Sequence, residues 1–287
     1  MASRREPRSG RARFFANRAA AFGLALVALL VLFAVVGPLV ARHDPLVSDF
    51  ARGGTEEGIP VPPSSEFWLG TDRLFRDQFA RLAYGARLSL AVSVAATLIA
   101  TVIGTGVGIA AGWFRRLDAP LMRLVDVGLS FPFLLLVMAV GAALDRTTAT
   151  TLLVVLGLTG WLGTARVVRA KTMQVRDLEF VVAARALGQR THRILWLHVL
   201  PNVLGPVIVL ATAQVAQMIL AESVLSYLGV GVAPPTPTWG HMLYEGQDNY
   251  AIAPWLVAAP AAAIVVAVFG FNLVGEGLRD ALDPRED

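Results

Sequence analysis

Few residues in this 287-residue chain could carry chemistry, and their spacing excludes most kinds of it. There is no cysteine, so disulfides, thiolate metal sites and cysteine nucleophiles are ruled out. His192 and His198 are six apart, and His43 and His241 are distant, so no histidine pair has metal-ligand spacing. Gly104, Gly106, Gly108 and Gly112 lie in an uncharged stretch with no strand before it, which denies them a dinucleotide-binding context. Gly104, Gly108 and Gly112 recur every four residues and predict a small-residue stripe for close helix packing. No G-x-x-x-x-G-K-[ST] run occurs. Two polar residues in apolar surroundings remain as gate or pathway candidates. Glu222 could anchor an outer gate or touch substrate with equal weight, since acidic groups at membrane depth are costly and often functional. Asn272 favours an interhelical hydrogen bond over a substrate contact.

The elements that must position these residues follow from hydropathy. The chain is 55% hydrophobic and 16% charged, against about 25% charged in a soluble domain. Mean hydropathy is +0.61. Six windows lack Asp, Glu, Lys and Arg: 19–41, 88–114, 127–144, 147–165, 199–221 and 251–275. About 20 apolar residues cross a ~30 Å hydrocarbon core, so each window is near or above a span, with Asp145-Arg146 dividing the third from the fourth as a tight hairpin. The expectation is an all-α membrane protein of six transmembrane helices, the first an uncleaved span. With the N-terminus cytoplasmic, 18 of the 25 basic residues fall inside, and 230–250 carries none. Both termini are therefore expected in the cytoplasm. The net charge of +4 then reflects topology, and no nucleic-acid partner is expected.

This divides the chain into a basic cytoplasmic segment at 1–18, a first transmembrane helix at 19–41, an extracytoplasmic loop at 42–86 and a five-helix core at 87–287. The loop is rich in Pro and Gly and ends in a short amphipathic stretch over 72–84. A second outer loop, 229–250, carries Pro234, Pro235 and Pro237, which favour an extended path. Trp68, Trp113, Trp239 and Trp255 read as interfacial belt residues. The basic cytoplasmic loop at 167–198 is the informative one. Asp177 predicts the cap of a helix from Leu178, Gly188 its left-handed stop, and Thr191 the cap of a second helix bordered by Pro201. Phe180, Val181, Val182 and Leu187 give that element an apolar content that calls for a partner.

These residues resemble a known pattern. Phe180 to Gly188, followed by His198-Val199-Leu200-Pro201-Asn202, resembles the EAA loop of ABC-importer permeases, with Val182 where that family usually has glutamate. Leu69-Gly70-Thr71-Asp72, Tyr84-Gly85-Ala86-Arg87, Ser130-Phe131-Pro132 and Glu222-Ser223-Val224-Leu225-Ser226-Tyr227-Leu228-Gly229 extend the likeness to the dipeptide/oligopeptide/nickel permeases, specifically their C-type subunit. Ala253-Pro254-Trp255 and the closing Gly277-Leu278-Arg279-Asp280-Ala281-Leu282-Asp283-Pro284 complete it. Two further departures are Phe75, where the family usually shows Gly before Arg76-Asp77, and Glu276, where Asp is usual.

The resemblance implies an ABC type I importer permease fold and a subunit that imports short peptides. It implies an ATPase-coupling loop formed by Val182, Ala183, Ala184, Gly188, Leu200 and Pro201. It implies as partners a second, B-type peptide permease, two ABC ATPase subunits and an extracytoplasmic substrate-binding protein, in a bacterial cytoplasmic membrane. ATP and magnesium would sit on the ATPase subunits, with no cofactor and no catalysis on this chain. The rival is an ATP-independent secondary transporter, which would call for inverted repeats and mid-membrane ionisable residues. An intramembrane enzyme would need a nucleophile and base within the spans, and a structural scaffold would leave the loop pattern unexplained.

Overall fold

The computed structural model describes residues 10–143 and 148–282. Arg4, Arg5, Arg8, the Asp145-Arg146 hairpin and Asp283-Pro284 lie outside the described residues. Helix α1 (Gly10–Ala16) precedes α2 (Arg18–Val40), whose start is set by Asn17: its Oδ1 accepts from the backbone N–H groups of Ala19 and Ala20 at 3.0 and 3.2 Å. After an irregular segment, Asp77 caps α3 (Gln78–Trp113) in the same way, through Phe79 N–H and Ala80 N–H. The second apolar helix thus begins ten residues before its uncharged window, and the expected amphipathic stretch splits at Asp77 into a tight turn and the first turns of α3.

The third window is where the structure departs most from the six-span expectation. Helices α4 (Arg115–Ser130) and α5 (Phe133–Ala142) meet at an angle of 91°. Pro132 lacks an N–H and pushes Phe131 into extended backbone, at φ −91° and ψ 136°, so the helix must end there. Ten residues of α5 rise only ~15 Å, half of a hydrocarbon core. Among the described residues, five helical stretches are long and apolar enough to cross a membrane, and six if the bent pair counts as one broken span. The fourth is α6 (Ala149–Thr159) followed through Gly160 by α7 (Trp161–Arg176).

The next stretch holds α8 (Glu179–Ala186) and α9 (Thr191–Ile194). A π-turn (Leu195–Val199) then fuses α9 to α10 (Leu200–Tyr227) in one 37-residue helical run. Two sequence expectations are corrected here. Asp177 terminates α7 and makes no cap bond to α8, which starts after Leu178. Thr191 is the first residue of α9, with Arg190 before it. The π-turn explains how Pro201 is tolerated: the Leu200 N–H reaches Leu195 O, and Asn202 Nδ2 donates to His198 O at 2.7 Å. Helix α11 (Trp239–Gly246) follows the proline stretch, where the sequence suggested extended chain throughout. Thr238 Oγ1 starts it by accepting from His241 N–H at 3.2 Å. Last comes α12 (Trp255–Leu282).

The glycine stripe does what its spacing implies. A Cβ added at Gly104, Gly108 or Gly112 would lie 2.6–2.7 Å from the Cβ of Thr164, Val168 or Thr172 in turn, so α3 and α7 run side by side in four-residue register. Arg176 Nη1 bonds Gly112 O at 2.9 Å and ties the two ends together. One end of the bundle, the tail end, gathers α1, the ends of α3, α7 and α12, and α8. The opposite loop end carries residues 41–77 and α11.

Phe75 stands in left-handed backbone, φ 59°, which favours glycine. Its ring meets Phe50 edge-on at 5.7 Å and lies over Gly54. Backbone strain of about 1–2 kcal/mol is therefore offset by packing of similar size. Phe75→Ala keeps the strain and loses the ring, whereas Phe75→Gly loses both. Thermal unfolding should find the alanine variant about 1 kcal/mol less stable than the glycine variant, the reverse of the order in ordinary backbone.

Candidate functional site

Four arrangements bear on function. The first is α8. Val181 and Ala184 are buried against Val168, Val175, Ile194, Val199 and Val203, which fixes one face of the short helix to the bundle. Its end is closed by Gly188 at φ 74°, with Gly188 N–H bonding Arg185 O and Gln189 N–H bonding Ala184 O. That reciprocal pair satisfies the last carbonyls and stops the helix where the sequence places the stop. The other face is bare: Leu187 is 83% exposed, with Val182, Phe180, Ala183 and Gly188 beside it. Of the six coupling-loop candidates, Val182, Ala183, Gly188 and Pro201 are thus on the surface, Leu200 is half-buried, and Ala184 faces the chain's own core. Arg185 stacks on Trp113, 4.8 Å from its centroid, and braces α8 against the end of α3.

The second arrangement is a cavity of about 470 Å³ beside the α4–α5 break, lined by Gly128, Phe131, Thr159, Gly160, Gln214 and Gln217 among others. Gln214 satisfies the interrupted backbone at the α6–α7 junction. Its Nε2 donates to Gly160 O at 2.8 Å, and Thr164 Oγ1 donates to its Oε1 at 3.3 Å. Broken helices at membrane depth are tolerated where they line such a space.

The third lies at the loop end and was not recognised from sequence. Asp72, Arg76, Arg81 and Glu245 form a buried, charge-balanced network. Arg76 reaches Asp72 at 2.7 Å and Glu245 at 2.8 Å. Arg81 Nη2 reaches Glu245 at 2.5 Å, and its Nη1 donates to Pro45 O at 3.3 Å. Arg81 Nε is 3.1 Å from Asp72 Oδ2, close enough for charge attraction but not aligned for a hydrogen bond. Burial raises the Glu245 carboxyl, but the His241 hydrogen bond and the two guanidinium groups outweigh it and hold the group at about 2. The signal available in sequence was a pair of arginines at the mouth of an apolar helix, one residue before Asp77 and four after it. Trp255 Nε1 adds a bond to Thr71 O at 3.2 Å, while Trp239 is fully buried and bonds Leu82 O. Trp239 is therefore a core residue, which corrects its reading as part of an interfacial belt.

The fourth concerns the two gate candidates, which the structure does not bring together. Glu222 is fully buried and accepts from Ser226 Oγ at 2.8 Å, the geometry of an internal anchor. Asn272 is exposed on α12 and makes no side-chain hydrogen bond among the described residues, so the expected interhelical bond is not formed within this chain. No group of three or more His, Asp or Glu side chains among the described residues could hold a metal ion.

With this geometry in place, comparison with known proteins identifies the class. Residues 100–287 match the family described as binding-protein-dependent transport system inner membrane component, and residues 8–53 match the N-terminal TM domain of oligopeptide transport permease C. The oligopeptide transport system permease protein OppC of Bacillus subtilis is 38% identical over 95% of this chain and 88% of its own length. OppC of Salmonella typhimurium is 39% identical over 96% and 90%. The dipeptide transport system permease protein DppC of Bacillus subtilis is 38% identical over 94% and 82%. A chain of the inward-facing MetNI methionine ABC transporter superposes with a TM-score of 0.57 at 19% identity, covering 70% of this chain and 96% of that one, which establishes a shared fold. The chain belongs to the peptide-importer permease family of ABC systems, among its C-type subunits. It is a multi-pass inner-membrane transport subunit.

Proposed function

We propose that this chain is one of two transmembrane subunits of an ATP-driven importer of di- or oligopeptides. The exposed apolar face of α8 carries the reading: Phe180, Val182 and Leu187 stand out of a helix whose opposite face is fully packed, as a surface held ready for a protein partner would be. On this reading the tail end is cytoplasmic, and α8 seats in an ABC ATPase with Ala183 and Gly188 allowing close approach. Leu200 and Pro201 carry the element on into α10, so displacement of α8 moves the 37-residue helical run of α9, the π-turn and α10. Ala184 contributes by letting α8 lie close to the bundle rather than by touching the ATPase. Val182, at the position of the usual glutamate, adds an apolar contact in place of a charged one.

The loop end then faces an extracytoplasmic substrate-binding protein, and a B-type permease completes the path across the bilayer. Glu222 and the buried ion network hold the loop end rigid during transport. Membrane extraction in mild detergent, followed by mass spectrometry of what co-purifies, tests the assembly. Two Walker-motif ATPases and a second permease are expected, with ATP-dependent uptake of the peptide carried by the binding protein. Transport by this chain alone, without ATP, would overturn the reading.

A further inference from the structure

A second cavity, of about 330 Å³, opens at the tail end between α8 and the ends of α3 and α7. Its size falls within the ~300–1,000 Å³ range of small-ligand sites. Trp113, Arg115, Arg176, Arg185, Gln189 and Thr191 line it. Arg176 is the last of four basic residues that α7 carries beyond Ala165, so the cavity lies outside the uncharged part of the bundle. Three guanidinium groups therefore border one space.

The nearby acidic groups do not balance them. Asp118 is engaged by Arg169 through both carboxylate oxygens, at 2.5 and 2.7 Å, and Asp126 by Arg166. Asp177 is 72% exposed and reaches only Arg176 Nε, at 3.4 Å. Arg115 and Arg185 form no ion pair among the described residues. Like charges in a merely solvated loop would spread apart, yet two of these three are held in place. The Arg176 side chain is 13% exposed and tied to Gly112 O, and Arg185 is stacked on Trp113. Arg185 precedes Leu187 by two residues, about 160° round the helix, so the cavity lies across α8 from its bare apolar face. Gln189 Oε1 is buried there with no hydrogen-bond partner among the described residues.

We infer that this cavity binds a phosphate ester that carries a hydrogen-bond donor. The planar guanidinium groups take the phosphate oxygens, and Gln189 Oε1 accepts from a hydroxyl or ammonium group of the same ligand. An anionic phospholipid headgroup and a soluble phosphate compound share this chemistry, and basic pockets at the ends of membrane helices recognise such headgroups. A bound phosphate adds a bridge from α8 to the ends of α3 and α7. The site is built by this chain alone and does not depend on what α8 docks onto.

The chain has no native cysteine, so Thr191→Cys reports on the cavity alone when thiol labelling is read on this chain by mass spectrometry. In the purified complex, freed of lipid in phosphate-free detergent buffer, dioctanoylphosphatidylglycerol or inorganic phosphate should slow labelling at least about fivefold relative to sodium chloride of equal ionic strength. Protection by the lipid alone assigns the site to a headgroup; protection by inorganic phosphate assigns it to a soluble compound. Arg115→Gln and Arg176→Gln should each raise the half-protecting concentration about tenfold or more. Arg115 makes no side-chain hydrogen bond or ion pair among the described residues, so its variant keeps the test open should Arg176→Gln fail to fold. Equal protection by chloride, or by dioctanoylphosphatidylcholine, which has no donor, would overturn the proposal. So would unchanged protection in both variants, or a cysteine already unreactive without ligand, which would show the cavity filled by a partner protein.

Discussion

Leu187→Asp should leave the subunit inserted and paired with its permease partner but unable to drive transport. Leu187 is the most exposed large hydrophobic of the α8 surface, so the substitution costs little in the packing of this chain. On docking, burial of a leucine side chain contributes about 1.5–3 kcal/mol, and an unpaired carboxylate in its place adds a penalty of several kcal/mol. ATPase affinity should fall by roughly 100-fold or more, since each ~1.4 kcal/mol is a factor of ten. Co-purification of ATPase and peptide-dependent ATP hydrolysis would both drop. Ala184→Trp should reach the same loss of transport by another route: Ala184 is buried, so the indole would lift α8 off Val168, Ile194 and Val203 and lower the thermal stability of the subunit itself. Unchanged coupling in Leu187→Asp, with normal assembly, would remove α8 as the docking element.

The second large effect is expected at the loop end. Glu245→Leu leaves the guanidinium of Arg81, which is 0% exposed, without its hydrogen-bonded carboxylate, with only the unaligned Asp72 nearby. Removing one member of a buried pair costs about 3–5 kcal/mol, whereas replacing both by apolar groups is often nearly neutral. Thermal unfolding and protease cleavage within residues 42–77 should show strong destabilisation in Glu245→Leu and substantial recovery in the Arg81→Leu, Glu245→Leu double variant. The Asp72–Arg76 pair remains in the double variant and keeps the region charge-balanced. The same carboxylate sets a pH dependence. Glu245 titrates at about 2 in the folded chain against an ordinary 4.5, so its contribution is complete above about pH 4.5 and is lost as pH falls towards 2. Proteolytic resistance of the loop end should therefore be flat from pH 5 to 7. A midpoint between pH 5 and 7 would assign the network a different controlling group.

Much of the site was legible because its residues are neighbours in sequence. Gly188 stops α8 because few other residues enter left-handed backbone without strain, and its position after Ala186-Leu187 announces that directly. The α8 side-chain division was not legible: Val181 and Val182 are adjacent and chemically identical, yet one is fully buried and the other half exposed. The difference comes from which face meets Val168 and Ile194, a matter of helix placement. Asn272 shows the same limit, since its exposure, with no side-chain hydrogen bond among the described residues, follows from where α12 turns it.

The sequence by itself determined that this is a helical membrane protein of the peptide-permease type and approximately where its spans lie, because a charge in hydrocarbon is costly enough to leave long uncharged windows. It also determined that α3 packs closely against a neighbour along Gly104, Gly108 and Gly112, since small residues every four let helix backbones approach, whereas that the neighbour is α7 was decided by the tertiary structure. Only the tertiary structure decided that the third window is broken at Phe131-Pro132 and bends by 91°, because an apolar window fixes burial and not straightness. Only the tertiary structure joined Arg76 and Arg81 to Glu245, more than 160 residues away. Such pairs depend on how distant helix ends converge, and no local spacing encodes that convergence.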